Sequence, residues 1–186
     1  NKIQFFYKKI ELRFYFLQFH IMDPFNNIHP SILVHITEPE VAKSIITSGE
    51  FNKPKNGVYG PGGYFAERET QGKIVARHHG AVVVCHVNLG RICKVVRSEL
   101  PMTPEELAKN NYNSIRGSFH TGPLYCVFDT TRITPLFASI TETNINGVEE
   151  TYYLIRTDKG VIRLGKIPLN NLIIKLKENQ ISISDS

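Results

Sequence analysis

Two side chains that could bind a ligand lie in short apolar segments of this 186-residue chain. His35 ends the run Ser31–His35, and a neutral imidazole both donates and accepts a hydrogen bond. Tyr64 follows the turn Gly60-Pro-Gly-Gly and offers a flat apolar ring. The simpler interpretation gives both residues structural roles, the histidine at a strand end and the ring in the core. A further apolar run, Leu124–Asp129, follows a Gly-Pro turn.

The glycines before Tyr64 form no familiar phosphate-binding motif. The dinucleotide fingerprint is Gly-x-Gly-x-x-Gly, and the P-loop requires Lys-Ser/Thr after its last glycine. The segment 60–63 has neither spacing. A turn with unusual backbone angles would need the same glycines. A Rossmann site and a Walker site are therefore excluded.

The elements that must position these residues are mostly strands. Short runs of β-branched, aromatic and apolar residues predict strands. These runs are 31–35, 64–66, 81–87, 91–96, 124–129, 132–137, 151–156 and 161–164. The last two flank Thr157-Asp-Lys-Gly160, which is a hairpin signal.

Helices are few and short. Thr37 is the predicted cap of a first helix, which Gly49 ends, and its apolar face is predicted to be Val41, Ile45 and Ile46. Residues 68–79 predict a polar helix, and Thr103 is expected to cap a helix over 104–109. Because the strands are not spaced as regular βαβ units, we expect an α+β fold with a mostly antiparallel sheet.

Three motifs, taken in order, resemble the catalytic domain of the poly(ADP-ribose) polymerase (PARP)-like ADP-ribosyltransferases. The first is Leu33-Val-His35-Ile-Thr37, where the family has His-Gly-Thr/Ser. The second is Gly60-Pro-Gly-Gly-Tyr64-Phe-Ala66, in which Gly62 begins the match to Gly-x-Tyr-Phe-Ala. The third is Leu124-Tyr-Cys-Val-Phe-Asp129 followed by Arg132-Ile-x-Pro135, where the family has Glu-Tyr-Val-Val-Tyr-Asp and Arg/Gln-Ile-x-Pro. The likeness covers residues 31–137.

The resemblance implies a split, mostly antiparallel sheet that is clamped around NAD as co-substrate, without a metal. His35 corresponds to the histidine that bonds a ribose hydroxyl on the adenosine side. Tyr64 corresponds to the tyrosine that stacks on nicotinamide. Catalytic positions by this likeness are His35, Tyr64 and Leu124. Positions expected to bind the co-substrate are His35, Ile36, Thr37, Gly63, Tyr64, Phe65 and Lys73.

The implied reaction breaks the bond between nicotinamide and ribose through an oxocarbenium-like transition state. The protein orients the dinucleotide and stabilises the developing positive charge. The function implied is transfer of a single ADP-ribose unit from NAD to a protein or other macromolecular acceptor, by an enzyme of the pentosyltransferase class.

Two substitutions depart from the family pattern at the site. Ile36 replaces the glycine whose backbone grips the nicotinamide amide, and this grip survives only if φ stays negative. Leu124 replaces the glutamate of the chain-forming members, so polymer formation is not expected. Glu67 and Glu69 are candidate substitutes, and solvated surface charge is their simpler interpretation.

A third departure lies in the predicted helix 68–79. The second stacking tyrosine of the family is missing, and Val75 is near its place. His78 or His79 is a candidate replacement, while Lys73 and Arg77 are four residues apart and could meet a pyrophosphate. An exposed basic face explains the same residues.

Two other functions fit the motifs. One is a weak or inactive PARP-like module that binds NAD or ADP-ribose or serves as an interaction domain. The other is a relative of the NAD-dependent RNA 2′-phosphotransferases, which need several arginines for phosphate. The candidate arginines are Arg68, Arg77, Arg116 and Arg132.

The chain divides into four predicted parts. Residues 1–30 form an N-terminal extension, of which 1–21 precede Met22 and are interpreted as non-native upstream sequence, with an added strand or membrane-surface segment as the alternative. Residues 31–137 form the PARP-like domain, and 138–177 extend it with a hairpin. Residues 178–186 are a polar tail.

Composition and charge limit the partners and the cellular compartment that we expect. The net charge is +5, but four basic residues and one acidic residue in 1–21 leave only +2 for the remainder, which weakens a nucleic-acid interpretation. The three cysteines include no Cys-x-x-Cys, so neither a disulfide framework nor a zinc site is expected. No run of about 18 apolar residues predicts a membrane span. We expect a cytoplasmic or nuclear monomer with NAD and an unidentified acceptor as partners.

Overall fold

A computed structural model describes residues 30–52, 57–67, 69, 80–96, 103–119, 122–157, 159–167, 171 and 174. Most of them belong to strands. The strands are β1 (Pro30–Thr37), β2 (Gly63–Ala66), β3 (Ala81–Asn88), β4 (Ile92–Val96), β5 (Ser114–Phe119), β6 (Gly122–Val127), β7 (Ile133–Thr143), β8 (Glu149–Thr157) and β9 (Gly160–Gly165). The helices are α1 (Pro39–Ser48) and α2 (Pro104–Lys109), and a 3-10 turn spans Thr130–Arg132.

All nine strands join one sheet in the order β4-β5-β6-β2-β1-β3-β7-β8-β9. Among these pairings β4–β5 is parallel and the others are antiparallel. The predicted α+β class with a mostly antiparallel sheet is confirmed. The β8–β9 hairpin is also confirmed, and it continues the sheet beyond β7, which itself runs through the predicted boundary between 137 and 138.

The main core lies between α1 and one face of the sheet. Ala42, Ile45 and Ile46 of α1 are buried against it, at the i, i+3, i+4 spacing of one helical face. Val41 is 43% exposed, so its predicted place on that face is wrong. Gly49 ends α1 with a φ of 75°, as predicted.

The predicted cap of α1 is also wrong. Thr37 belongs to β1 and is buried, while the capping position is Glu38, whose side chain makes no cap hydrogen bond. Pro39 occupies the first turn, where its missing N–H needs no partner, so a side-chain cap has less to satisfy.

The second helix starts as its sequence predicts. The Thr103 hydroxyl accepts from the Glu106 backbone N–H at 3.3 Å, and the Glu106 carboxylate accepts from the Thr103 N–H at 2.7 Å. This capping box fixes α2 beside a second apolar cluster. The members of that cluster are Tyr59, Cys93, Val95, Leu107, Ile115, Leu124 and Cys126, with Tyr64, Tyr112 and Phe128 packed against them.

Several predictions fall on other parts of the chain. Apart from position 69, the helix predicted over 68–79 lies outside the described residues, as do the segment 1–21 and the tail 178–186. The described residues contain no helix that is both long enough and apolar enough to cross a membrane.

Candidate functional site

The pairing between β1 and β2 is the shortest in the sheet. One register pair, Val34 with Ala66, joins the two strands. On their other sides, β1 pairs with β3 along its whole length and β2 pairs with β6. If the β1–β2 ladder continued past Val34, antiparallel register would set Ile36 opposite Tyr64. Pairing between the two strands ends there instead, and we call this place the opening.

His35 bridges the opening through its side chain. Its Nδ1 lies 2.8 Å from the carbonyl oxygen of Tyr64, so Nδ1 carries the proton and donates. The ring is half-buried between Phe51 and Phe65, with ring centroids 5.0 and 5.9 Å away. Burial lowers the pKa of His35, and the bond to Tyr64 offsets only part of this effect. The imidazole is therefore neutral near pH 7, and Nε2 is left as an acceptor.

The Tyr64 ring is fixed by the glycine-rich loop before it. Its hydroxyl donates to the Gly60 carbonyl at 2.6 Å and accepts from the Tyr59 backbone N–H at 2.8 Å. A Cβ on Gly57 would overlap the outer end of the ring, so a glycine is required where the loop crosses it. Burial is the main cause that raises the pKa of Tyr64, so the phenol stays protonated.

Leu124 joins Tyr64 on one face of the sheet. Ala66 pairs with both Val34 and Leu124, and paired residues present their side chains on the same face. Tyr64, two residues before Ala66, shares that face, and both side chains belong to the second apolar cluster. Leu124 is only 8% exposed.

His35 projects from the opposite face. It follows Val34 by one residue, and its ring packs against Phe65, which alternates with Tyr64 along β2. The side chains of Tyr64 and Leu124 therefore belong to one cluster. The side chain of His35 instead contacts the backbone carbonyl of Tyr64. The resemblance implies that these three side chains line one cleft. That expectation is wrong here, because strand alternation turns His35 to the face opposite Tyr64 and Leu124.

The other predicted contacts of β1 and β2 adjoin the opening. Ile36 and Thr37 are buried and pair with Val82 and Ala81 of β3. Ile36 lies in an extended strand with φ in the ordinary negative range, so its side chain does not impose a strained backbone. The predicted contacts Gly63 and Phe65 are both buried in β2.

Sequence reasoning missed a chain of hydrogen bonds on the His35 face. Arg116 Nε donates to the Tyr125 hydroxyl at 3.1 Å, and that hydroxyl donates to Glu67 Oε1 at 2.8 Å. Tyr125 pairs with Phe65 on one side and with Arg116 on the other. Glu67 is 58 positions from Tyr125 along the chain, so only the register of β2 and β6 reveals this grouping.

Of the remaining sequence candidates, the structure describes Glu69 and Arg132. Lys73, Val75, Arg77, His78, His79 and Arg68 lie outside the described residues. Glu69 is partly buried next to that segment. Arg132 lies at the end of the 3-10 turn, where its guanidinium donates to Asn88 Oδ1 at 3.4 Å.

A concave region of about 570 Å³ lies beside α1 and the β7–β8 hairpin. Its polar groups satisfy one another. Lys43, at the helix, lies 2.7 Å from both Glu40 and Glu142, and the Tyr152 hydroxyl donates to Glu142 at 2.8 Å. The Arg163 guanidinium lies 3.7 Å from the centre of the Tyr152 ring. This network anchors α1 to the sheet, and it presents no uncompensated charge that would indicate a ligand.

Metal chemistry has no visible basis in this part of the chain. Within the residues that the structure describes, no three His, Cys, Asp or Glu side chains are grouped to hold a metal ion. No protein-family model matches the chain, and no curated protein matches it either. A function for the opening must therefore be argued from its geometry and from the motifs.

Proposed function

We propose that the chain transfers a single ADP-ribose unit from NAD to a macromolecular acceptor and releases nicotinamide. The observation that carries the proposal is the bond from His35 Nδ1 to the Tyr64 carbonyl across the opening. It joins two motifs that resemble those of the PARP-like ADP-ribosyltransferases, next to the place where pairing between β1 and β2 ends.

The state of His35 supports the binding of a hydroxyl. Because Nδ1 donates to Tyr64, Nε2 is an acceptor, and burial keeps the ring neutral. A ribose hydroxyl is a suitable donor for such a nitrogen. The extended backbone of Ile36 at the same opening is a candidate for bonding the carboxamide of nicotinamide.

In the proposed reaction the bond between ribose C1′ and the nicotinamide nitrogen breaks. Its electron pair leaves with the nicotinamide, which becomes neutral, while the acceptor forms a bond to C1′ and loses a proton to solvent. The protein contributes position and charge stabilisation rather than a covalent nucleophile. Since Leu124 is apolar and buried, extension of the product into a polymer is not expected.

The test uses the full chain and NAD labelled in its adenylate part. Label on the chain or on added acceptor protein, with free nicotinamide in equal amount, is the expected result. His35→Ala should weaken NAD binding about tenfold or more. The variant loses the proposed bond from a ribose hydroxyl to Nε2, and the Tyr64 carbonyl loses its bond from Nδ1. His86→Ala, which changes a histidine of β3 away from the opening, is the matched control.

Two results would contradict the proposal. One is the absence of NAD and ADP-ribose binding at millimolar concentration. The other is equal labelling by the wild type and His35→Ala, since the label would then come from chemistry away from the opening.

The burial of Leu124 favours a second candidate, a module that binds NAD or ADP-ribose without turning it over. No carboxylate is present at that position to stabilise the reaction, and the leucine is packed with Tyr64. For such a module, calorimetry would detect NAD binding that depends on His35. Neither label nor nicotinamide would appear, even with prolonged incubation.

A further inference from the structure

Strand β9 forms one end of the nine-stranded sheet, and among the described residues it pairs with β8 alone. The register between the two strands, from Thr157–Gly160 to Tyr152–Gly165, contains no bulge. Val161 of β9 is 37% exposed. The strand therefore has a regular outer edge that reaches solvent, and such an edge is a template for a further strand.

The hydrogen-bond pattern decides which backbone groups of β9 point outward. The Asn144 N–H donates to the Val148 carbonyl at 2.8 Å in the β7–β8 turn, and bonded residues alternate along antiparallel strands. Along β8, even-numbered residues therefore bond to β7, and odd-numbered residues bond to β9. Their register partners in β9 are Gly160, Ile162 and Leu164. The N–H and C=O groups that point away from the sheet are those of Val161, Arg163 and Gly165.

The two faces of β9 differ in their chemistry. On one face the Arg163 guanidinium lies 4.0 Å from a Glu150 oxygen, and both side chains are more than half exposed. Such a pair is weak, so Arg163 can still attract a second carboxylate. On the other face Ile162 and Leu164 are partly buried in an apolar cluster around Ile155. An added strand would meet a cation on one face and apolar side chains on the other.

The charge of this edge favours a different protein over a second copy of the chain. Residues 159–167 include two lysines and one arginine, and no acidic residue. If two copies paired antiparallel through all three outward-pointing residues, the two Arg163 side chains would lie opposite each other. Like charges in that position destabilise a sheet, whereas an acidic residue opposite Arg163 stabilises it.

We propose that the outer edge of β9 binds an extended segment of another protein in which acidic and apolar residues alternate. The segment adds to the sheet as a further strand, through the outward backbone groups of Val161, Arg163 and Gly165. Its acidic side chains lie beside Arg163, and its apolar side chains cover Ile162 and Leu164. Because β3, β7 and β8 separate β9 from β1, this inference is independent of the proposed transfer at the opening.

The probe is a fluorescently labelled heptapeptide in which glutamate alternates with valine, added to the full chain. Fluorescence anisotropy should show saturable binding, and replacing the glutamates by lysines should weaken it about tenfold or more. Paired residues share a face, so the glutamates that lie beside Arg163 are also the residues whose N–H groups bond to β9. N-methylation of the glutamates should therefore weaken binding about tenfold more than N-methylation of the valines.

Arg163→Pro and Arg163→Thr form a matched pair of variants. Both remove the charge, but only proline removes the outward N–H. That N–H takes no part in the β8–β9 ladder, so an edge strand tolerates proline there. Arg163→Pro should bind the heptapeptide about tenfold more weakly than Arg163→Thr does. Circular dichroism checks that both variants are folded.

Three results would overturn the inference. The first is no saturable binding of the glutamate–valine peptide at millimolar concentration. The second is an equal Kd for the two N-methylated peptides, a comparison made on the wild type that needs no variant to fold. The third is self-association of the chain, seen by analytical ultracentrifugation, that Arg163→Pro abolishes and the peptide does not displace, since the edge would then belong to a second copy.

Discussion

The imidazole of His35 donates from Nδ1 to the carbonyl oxygen of Tyr64 at 2.8 Å, in the place where β1 and β2 stop pairing. The side chain thus satisfies a backbone acceptor that a continued ladder would have paired. The same bond sets the tautomer of the ring. The bond that satisfies the Tyr64 carbonyl therefore also leaves Nε2 of His35 as an acceptor.

Stability should fall as the pH drops below 6.5. Burial lowers the pKa values of His35 and His86, so the unfolded chain takes up protons before the folded chain does. Each ring can change the unfolding free energy by at most about 1.4 kcal/mol per pH unit. Urea denaturation between pH 8 and pH 5 measures this slope.

His35→Gln is expected to make the same decline shallower, because one of the two rings is removed. Glu142 does not interfere in this range, since the hydrogen bond from Lys43 lowers its pKa below the ordinary 4.5 and its contribution is lost only at more acidic pH. Parallel curves for the wild type and the variant would show that His35 does not titrate differently on folding.

Gly57→Ala should destabilise the protein by about 1–3 kcal/mol, the usual cost of forcing atoms into a packed site. The added methyl group would overlap the Tyr64 ring, which is fixed by hydrogen bonds to Tyr59 and Gly60. Gly165→Ala is the control, since its new Cβ meets nothing within 4 Å. Equal denaturation midpoints for the two variants would mean that the Tyr64 ring moves aside freely.

Leu124→Glu is expected to destabilise the fold by several kcal/mol rather than to create a chain-forming enzyme. The side chain is 8% exposed and is surrounded by apolar partners, so an ionised carboxylate would be buried without a partner. Leu124→Met, which conserves volume, should cost less than about 1.5 kcal/mol. Thermal denaturation of the two variants checks the difference, and a Leu124→Glu variant as stable as wild type would disprove the packing argument.

All three cysteines should resist alkylation in the folded protein. Cys85, Cys93 and Cys126 are buried, and burial raises their pKa values, that of Cys126 to about 11. Thiolates are therefore scarce at neutral pH. Mass spectrometry after N-ethylmaleimide treatment should find little modification without denaturant and three adducts in urea. Rapid labelling of the native chain would contradict the buried positions.

The strands that the sequence predicts best are those with dense β-branched residues or a clear turn. β3 contains the run Val82-Val-Val84 and Val87, and the β8–β9 hairpin has Gly160 at its turn. Gly49 likewise marks the end of α1. Each of these signals depends only on neighbouring residues, so it can be recognised from the sequence alone.

Strand β5 was missed because its own residues give a weak signal. β5 contains two serines and a glycine, which weaken its strand propensity, but it pairs with both β4 and β6. The Ser114 hydroxyl also donates to the Leu89 carbonyl at 2.7 Å. In the site, the grouping of Glu67 with Tyr125 depends on the β2–β6 register, which no local pattern indicates.

The central position of β1 has a consequence for the order of folding. Its pairing with β3 joins Thr37 to Ala81 and Pro30 to Asn88, so long loops must close before these bonds form. The meander β7-β8-β9 needs only short turns and can form early. We therefore expect the strand that carries His35 to enter the sheet late, so that the opening is completed in the last stage of folding.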